Sequence, residues 1–394
     1  MNKGIATLYA IAQKKERILI GLMSGTSLDG LDIALCKCTG NGYETDIALL
    51  QFETMPYENS FLQQLQKSCF VPNISLEQLT LLNKQIALEH AAMVQQFLAK
   101  YHINKTRVDA IASHGQTIYH APAIQHENKV GNATLQLGDG DIIAVKTGMI
   151  TISDFRQKHI AAGGAGAPLV TYGDILLTGH ILEDVILLNI GGIANFTYIS
   201  ANKKNITFSD AGPGNTLMNQ WMQQHYHQNY DADGAVAAKG IVNKKLLNYW
   251  LQHSFFAADF PKTTGPETFN CSFIEDAVNA LQLYISNDDV MATLNYLTAK
   301  SIAIAVNNIA NQKAAKIYVS GGGVHNRLLM QHLQTIMPQH TILPSDEIGI
   351  HAAAKEAMLF ALLANETLAG NPNIFENIHT NLPAISMGKI SLPY

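Results

Sequence analysis

The sequence predicts an α/β protein made of two related domains, and three observations support this prediction. At 394 residues the chain is long for a single hydrophobic core, so two domains are expected. Strand-like and helix-like segments alternate along it, as they do in α/β folds. A strand–turn–strand pattern at 17-RILIGLMSGTSLDGLDIAL-35 returns at 185-VILLNIGGIANFTYI-199. Two unrelated hairpins could share this pattern, but its return favours two equivalent units that face each other across a cleft.

The composition excludes several classes of protein. No apolar run approaches the length of a membrane-spanning helix, although 47% of the residues are hydrophobic. The net charge of −5 and the lack of a dense Lys/Arg cluster give no electrostatic reason to expect nucleic acid or anionic lipid as a partner. A small-molecule partner is therefore favoured.

The four cysteines, Cys36, Cys38, Cys69 and Cys271, are too few and too scattered for a disulfide framework or a zinc site. Cys36 and Cys38 are two apart on a predicted strand, so they face the same side as ordinary packing residues. This usage indicates a reducing cytoplasm. The apolar run 4-GIATLYAIA-12 is short for a signal peptide and is followed at once by KKER, so we expect a frayed leader there.

Most of the elements follow from hydrophobic periodicity and turn residues. Helical spacing over 76–100, behind a capping box of Ser75 and Gln78, predicts a long helix, and 293–312 predicts another. The predicted strands are 17–23, 31–38, 47–55, 108–114, 134–138, 185–191, 195–200, 205–210 and 316–322. The tail 369–394 is irregular in pattern, but it contains enough Ile and Leu to pack back onto the body.

Three glycine turns are candidates for binding phosphate or a base. They are the opening hairpin 21-GLMSGTSLDGLDIALC-36, Gly191-Gly192 in its repeat, and 320-SGGGVHNRLLMQHL-333. Glycine lets backbone N–H groups approach an anion closely. The chain lacks a Walker A motif, a G-x-G-x-x-G fingerprint and the protein-kinase signatures. In order and spacing, the three turns resemble the phosphate-1, phosphate-2 and adenosine motifs of the sugar kinase, Hsp70 and actin ATPase superfamily.

Asp210 is the strongest candidate for a catalytic base. In 206-ITFSDAGPGNTLMNQW-221 an apolar strand ends at Asp210, and a Gly-Pro-Gly turn leads into a helix from about Asn215. An aspartate that only caps a helix or braces a turn would show the same pattern, so both interpretations stay open at this point. Asp154 and His114 also follow strands and precede loops of small residues.

Two patterns suggest metal sites but lack residues that such sites need. Asp231-Ala-Asp233-Gly234 begins like a calcium loop but lacks the later Gly and Glu, so it is interpreted as a turn. His114 and His120 have no third ligand at metal spacing.

The full set of motifs resembles the anhydro-N-acetylmuramic acid kinase family. The segments that carry the resemblance run from Ile20 to about Leu363. They are GLMSGTSLDGLDIAL, SHGQTIYH, ISDFRQKHIAAGGAGAPLV, LLNIGGIANFTYI, SDAGPGN, YDADG, FPKTTGPETFN, SGGGVHNRLLM and DEIGIHAAAKEAMLFALLA. The resemblance implies two ribonuclease-H-like (actin-like ATPase) domains flanking a central cleft. Domain I would span 17–180, completed by a C-terminal helix near 353–366, and domain II would span 181–394.

The resemblance also implies an activity. The family uses ATP and water to open the 1,6-anhydro ring of anhydro-N-acetylmuramic acid and phosphorylate O6, giving N-acetylmuramic acid 6-phosphate and ADP in cytoplasmic cell-wall recycling. The expected partners are an amino sugar and ATP with Mg²⁺, without nucleic acid or membrane, and the resemblance implies a homodimer. Two alternatives are a kinase for another amino sugar on the same fold and a non-catalytic, nucleotide-gated sensor.

Roles carry over from the family position by position. Asp210 matches the catalytic base, and Asp29 or Asp32 is expected to meet the metal, with Asp29 acting through water. Ser24, Thr26 and Ser27 are expected to add hydroxyl donors near the nucleotide. The ATP-binding set is Gly25, Thr26, Ser27, Leu28, Asp29, Gly30, Leu31, Asp32, Gly191, Gly192, Gly321, Gly322, Gly323 and Asn326. The sugar-binding set is His114, Gln116, Thr147, Asp154, Arg156 and Glu356. Two positions depart from the family pattern: Gln157 stands where a second arginine is frequent, and Ala211 replaces the usual Thr or Cys.

Overall fold

The computed structural model describes residues 1–25, 28, 30–123, 131–376 and 383–394. The backbone divides into two compact units, Met1–His180 with Gly349–Tyr394, and Ile181–Ile348. The sequence-based division left residues 349–394 in the second domain, apart from a helix near 353–366. In the structure the whole of this segment clusters with the first unit.

The first unit contains a seven-stranded mixed sheet. The strands lie in the order β12-β6-β4-β1-β2-β3, and β5 pairs with β4 off this path. Strands β1, β2 and β3 form an antiparallel meander, whereas β4 runs parallel to β1 and β6 runs parallel to β4. The elements are α1 (Lys3–Ala12), β1 (Glu16–Ser24), β2 (Gly30–Thr39), β3 (Asp46–Pro56), α2 (Asn59–Ser68), α3 (Leu76–Lys100), β4 (Ala110–Ala121), β5 (Ala133–Leu137), α4 (Gly140–Thr147), β6 (Thr151–Ser153), α5 (Phe155–Ala161), α6 (Val170–Leu177), α13 (Lys355–Ala369) and β12 (Lys389–Ser391).

The second unit contains a five-stranded mixed sheet in the order β11-β10-β7-β8-β9. Strands β7, β8 and β9 are antiparallel, whereas β10 runs parallel to β7 and β11 runs parallel to β10. The elements are β7 (Val185–Ile190), β8 (Ile193–Ile199), β9 (Ile206–Pro213), α7 (Thr216–Tyr226), α8 (Lys244–Trp250), α9 (Ser254–Ala257), α10 (Cys271–Ala280), α11 (Asn287–Ile309), β10 (Lys316–Ser320), α12 (Arg327–Ile336) and β11 (Thr341–Pro344).

Both sheets follow one topology. In each, three antiparallel strands come first in the chain, and two later strands add in parallel on the side of the first strand, β4 and β6 in one sheet and β10 and β11 in the other. The first sheet has two further strands, β5 and β12, which pair antiparallel with β4 and β6. This is the ribonuclease-H-like arrangement, so the predicted α/β fold class is confirmed. The two hairpins that the sequence repeats are β1/β2 and β7/β8, the first pair of strands in each sheet.

The long helices form where the apolar periodicity predicts them. Helix α3 begins after Ser75, whose hydroxyl accepts a hydrogen bond from the Gln78 N–H. Its residues Ile86, Val94 and Phe97 are fully buried in the core that also contains Ile20 and Leu22 of β1. Helix α11 begins at Asn287 rather than Thr293, because the Ser286 side chain caps it by accepting from the Asp289 N–H.

The expectation of a frayed leader is wrong. Residues Lys3–Ala12 form helix α1, and the side chain of Asn2 caps it by accepting from the N–H groups of Gly4 and Ile5. Ile11 is buried, which ties this helix to the body of the unit. The tail does pack back, since β12 pairs antiparallel with β6.

The cysteines behave as predicted. Cys36, Cys38, Cys69 and Cys271 are free thiols, and the first three are buried. Burial raises the pKa of the Cys38 thiol to about 12, which makes it a poor nucleophile.

Candidate active site

Asp210 lies on β9, where a neighbouring loop holds its backbone and side chain. Its N–H donates to the Lys262 carbonyl at 3.0 Å, and its Oδ2 accepts from the Thr264 N–H at 2.8 Å. The residue is 9% exposed. Burial raises the pKa of the Asp210 carboxyl above its usual value, the Thr264 N–H lowers it, and the charge of Glu267 raises it. The carboxylate is therefore more basic than a solvated aspartate, as a general base requires.

A β-bulge in β9 directly follows Asp210. Asn195 pairs with Asp210 and Ala194 pairs with Gly212, which leaves Ala211 as the extra residue. Ala211 is 1% exposed and belongs to the hydrophobic core of the second unit. The departure from the family pattern at this position therefore falls in the core, not among the polar groups around Asp210.

The glycine turns of the second unit pack against one another. The N–H groups of Gly214 and Thr216 donate to the Gly192 carbonyl, at 2.9 and 3.0 Å. A Cβ on Gly214 would lie 2.3 Å from the Gly191 carbonyl oxygen, and one on Gly321 would lie 2.7 Å from the Ile190 carbonyl oxygen. The close packing of these turns therefore requires glycine at Gly214 and Gly321.

A cavity of about 410 Å³ opens beside these turns. Gly322 faces it with open space, since the nearest atom to an added Cβ is the Asn215 Nδ2 at 3.8 Å. Asn326 lines it too, but its Oδ1 caps α12 by accepting from the Leu329 N–H, and it also accepts from Asn295 Nδ2. Its remaining amide donor is the group that can reach a ligand. The cavity is lined by Asn215, Met218, Asn219, Tyr230, Asp231, Ala232, Asp233, Gly322, His325 and Asn326.

The motif Asp231-Ala-Asp233-Gly234, which begins like a calcium loop, forms a turn as predicted. Residues Ala232–Gly234 form a 3₁₀ turn, and the two oxygens of Asp231 accept from the N–H groups of Val236 and Ala237. The carboxylate braces the loop instead of facing a metal. The described residues hold no group of three His, Cys, Asp or Glu side chains that could bind a metal ion.

The opening hairpin of the first unit is described only in part. Thr26, Ser27 and Asp29 lie outside the described residues, so their predicted roles stay predictions. Leu28 and Leu31 belong to the hydrophobic core, so they can offer a nucleotide only their backbone. Gly30 is needed for close packing, because a Cβ there would lie 2.3 Å from the Met55 carbonyl oxygen. Asp32 on β2 accepts from the Thr54 hydroxyl at 2.5 Å.

Two of the predicted sugar residues, His114 and Arg156, are hydrogen-bonded to each other. The Arg156 Nε donates to His114 Nε2 at 2.9 Å, and its Nη1 donates to the Gly166 carbonyl at 2.7 Å. Burial, followed by the Arg156 charge, lowers the pKa of His114 to about 3, so the ring is neutral and accepts from the guanidinium.

Glu356, at the start of α13, is exposed, but the protein around it raises the pKa of its carboxyl. Removal of water is the largest cause, and the charge of Asp32 adds to it, while Arg156 and Lys355 act in the opposite direction. Asp32, Arg156 and Glu356 thus form one electrostatic group.

The other predicted sugar residues, Asp154, Thr147 and Gln116, form hydrogen bonds or ion pairs with other partners. Asp154 has a left-handed backbone and forms an ion pair with Lys389 at 2.5 Å. It lines a polar cavity of about 300 Å³ together with His114, Ser153 and Ser391. Thr147 is buried at the end of α4, and its hydroxyl donates to the Ile143 carbonyl of its own helix. Gln116 is fully buried, and its amide donates to the carbonyls of Gly25 and Thr117.

Several residues at these sites were missed by sequence reasoning. Thr264 and Lys262 lie in FPKTTGPETFN, a segment that carries the family resemblance, so the motif was the signal for them. Gln157 donates its amide to the Thr134 carbonyl, which anchors α5 to β5 where the family frequently has a second arginine. Lys389 has no local motif, and only the three-dimensional structure brings it to Asp154.

Comparison with known proteins gives a consistent picture. A family model described as "Anhydro-N-acetylmuramic acid kinase" matches residues 17–392. A protein of that name from Pseudoalteromonas atlantica is 49% identical, with the whole of both chains covered. Another from Caldanaerobacter subterraneus is 37% identical over 98% of this chain and 99% of its own. Among solved structures, an activator of 2-hydroxyisocaproyl-CoA dehydratase from Clostridium difficile, with bound ADPNP, is 12% identical at a TM-score of 0.42 over 89% of this chain and 95% of its own.

No helix in the described part of the chain is both long and apolar enough to cross a membrane.

Proposed function

The chain belongs to the anhydro-N-acetylmuramic acid kinase family, and we propose how its residues perform that activity. It is an enzyme of this kind, a kinase that acts on anhydro-N-acetylmuramic acid. The match of the family model across residues 17–392 is the observation that carries this conclusion. The residue roles, the magnesium ion, the cellular compartment and the oligomeric state below are parts of the proposal.

Asp210 serves as the general base of the reaction. It takes a proton from a water molecule as the water oxygen forms a bond to the anomeric carbon of the sugar. The bond between that carbon and O6 breaks, and O6 receives the γ-phosphoryl group as ADP leaves. The products are N-acetylmuramic acid 6-phosphate and ADP. The raised pKa of the Asp210 carboxyl supports this role, because a more basic carboxylate accepts a proton more readily.

The glycine turns bind ATP. In the second unit, Gly322 lines the 410 Å³ cavity with bare backbone, which suits phosphate or a flat base. We assign the neighbouring glycines of these turns, Gly191, Gly192, Gly321 and Gly323, to the same nucleotide site. In the first unit, residues 25–32 form the family's ATP segment. Phosphoryl transfer depends on positioning and charge neutralisation, so such a site needs few reactive side chains.

Magnesium would be held by few protein groups. The charge of Asp32 raises the pKa of the Glu356 carboxyl, and the oxygen donors of these two carboxylates suit a hard divalent cation. Since no cluster of three ligands occurs among the described residues, phosphate oxygens and water would complete the coordination. When bound, the ion neutralises charge on the phosphates.

The sugar binds to the first unit. His114, a neutral ring fixed by Arg156, and Asp154, paired with Lys389, line the same polar cavity. Arg156 and Lys389 are cations that complement the carboxylate of a muramic acid. We place the protein in the cytoplasm, where its free cysteines stay reduced, and propose a homodimer as in the family.

A product assay tests this function. With the anhydro sugar and Mg-ATP, the protein should release ADP and the sugar 6-phosphate in equal amounts. Asp210→Asn should reduce turnover by at least about 100-fold, because general-base catalysis contributes about that much or more. Its affinity for ATP should stay near that of the wild type. Normal turnover by this variant would remove Asp210 from the mechanism, and preference for another amino sugar would reassign the substrate.

A further inference from the structure

Four buried polar side chains of the first unit form a continuous hydrogen-bonded chain. His90 Nε2 lies 3.0 Å from the Tyr57 hydroxyl, which lies 2.6 Å from the Ser24 hydroxyl. Ser24 in turn donates to Gln116 Oε1. None of the four is more than 7% exposed, and Tyr57 belongs to the hydrophobic core. Burying polar groups in such a core costs free energy unless they are hydrogen-bonded. A function for these four side chains would explain why polar residues stand at these positions.

The orientation of the Gln116 amide is determined by its surroundings. Its nitrogen faces two carbonyl oxygens, those of Gly25 at 3.3 Å and Thr117 at 3.2 Å. Carbonyl oxygens can only accept hydrogen bonds, so the NH₂ group must point at them and Oε1 must be the atom that faces Ser24.

This orientation fixes the direction of every hydrogen bond in the chain. Ser24 has one hydroxyl proton and donates it to Gln116, so it must accept from Tyr57. Tyr57 donates its only hydroxyl proton to Ser24 and must therefore accept a hydrogen bond from His90. His90 can donate this bond only if its ring carries the proton on Nε2. Burial lowers the pKa of His90 to about 4, so the neutral ring that this tautomer needs is present at pH 7.

The chain ends on the turn of the opening hairpin. Ser24 is the last residue of β1, and Gly25 begins the segment that the sequence assigns to ATP. Ser24 is 1% exposed and its hydroxyl proton is donated to Gln116, so this proton is not available to a phosphate in the way that the sequence predicted. Gln116 is hydrogen-bonded to Ser24 and to backbone carbonyls, and its assignment to the sugar stays a prediction.

We propose that Tyr57 and His90 are positioning residues for nucleotide binding, acting through Ser24 and Gln116 on the backbone at Gly25. This inference rests on the proposed assignment of residues 25–32 to ATP. The directed chain holds the Gly25 carbonyl, which also accepts from the Leu28 N–H at 3.4 Å, in one orientation. Without this support, part of the free energy of nucleotide binding would be used to order the turn. The affinity for ATP would therefore fall.

The test is Tyr57→Phe, which removes one hydroxyl and keeps the aromatic ring. Binding of a non-hydrolysable ATP analogue with Mg²⁺ is measured by calorimetry, and KM is measured for ATP and for the anhydro sugar. We expect the Kd for the analogue and the KM for ATP to rise about five- to tenfold, as for a lost buried hydrogen bond, with the KM for the sugar unchanged.

The matched control is Tyr43→Phe, since Tyr43 donates its hydroxyl to the Ile374 carbonyl at 2.9 Å in the same unit. It should leave nucleotide binding unchanged. A second pair extends the test: His90→Gln retains an N–H donor at the position of Nε2 and should bind the analogue more tightly than His90→Leu.

An unchanged Kd in Tyr57→Phe overturns the proposal, whether or not the melting temperature falls, because a merely structural role predicts that result. Equal losses in Tyr57→Phe and Tyr43→Phe also overturn it. The two proposals fail separately: a wild-type protein that binds the analogue but forms no sugar phosphate refutes the enzymatic function, while the comparison of analogue binding still decides the positioning role.

Discussion

At the scale of single residues, the environment of Asp210 balances two opposing influences. Burial and the nearby charge of Glu267 favour the protonated carboxyl, while the Thr264 N–H favours the carboxylate. The net pKa shift is upward. A base with a raised pKa is stronger, but it loses its function at a higher pH as the solution is acidified. The loop 262–267 therefore sets both the strength of the base and the acid limit of activity.

Replacing Glu267 with Gln should separate these effects. Removal of the negative charge lowers the pKa of Asp210, so the acid limb of the kcat/KM profile should move to lower pH. The rate on the plateau should fall slightly, because the base is weaker. The profile is measured between pH 4 and 8, with Glu275→Gln on α10 as the control. An acid limb that does not move would show that a group other than Asp210 governs it.

Residue types could be predicted from the sequence, but hydrogen-bond roles could not. The motif SHGQT correctly marks His114 and Gln116 as polar residues in the sheet. It cannot show that His114 accepts from Arg156, 42 positions away, or that Gln116 accepts from Ser24, 92 positions away. Which atoms remain for a ligand depends on these distant partners, so a local pattern cannot decide it.

At the scale of elements, the contact between β1 and α13 leaves less room for a Cβ than that at any other described glycine of the first unit. A Cβ on Gly21 would lie 1.8 Å from the Ala357 carbonyl oxygen. Glycine lets the helix that carries Glu356 rest directly on the strand that ends at Ser24. This packing fixes the position of Glu356 relative to the opening hairpin.

Gly21→Ala should destabilise the protein severely. The added methyl group meets backbone on α13, which cannot move without displacing the helix, so we expect a loss of about 3 kcal/mol or more. The control is Gly163→Ala, where nothing lies within 4 Å and only the positive φ of 92° opposes the change. That should cost about 1 kcal/mol. Urea unfolding measures both, and equal losses would contradict the close approach.

The elements predicted best are those with long apolar patterns. The strands of both meanders and helix α3 have enough alternating or helical positions for the period to be clear. Helix α1 was missed because its packing against the body, through Ile11 and through Gly4 beside Leu392, depends on residues at the other end of the chain. Strand β12 has three residues, and its identity comes from pairing with β6.

At the scale of the whole molecule, one topology is used twice with different loops. In each sheet the first hairpin carries a glycine turn, but the polar site residues lie on strands of different kinds: on the parallel strand β4 in the first sheet, and on the antiparallel strand β9 in the second. The repeat in sequence favoured two related units, and the family resemblance implied their shared topology. The return of residues 349–394 to the first unit was not predictable from their order in the chain, because burial against β1 and β4 decides it.

Nucleotide binding should raise the melting temperature, since a ligand that binds only the folded state stabilises it. At a free concentration of the Mg²⁺-bound ATP analogue 100 times its Kd, the stabilisation is about 2.7 kcal/mol.

Gly322→Val should abolish the rise without lowering the melting temperature of the free protein. The new side chain enters the 410 Å³ cavity, and nothing closer than 3.8 Å opposes its Cβ. Asp210→Asn should keep the full rise, because the base acts on water and not on the nucleotide. Scanning calorimetry with and without the analogue measures all three proteins, and an undiminished shift in Gly322→Val would move the nucleotide away from this cavity.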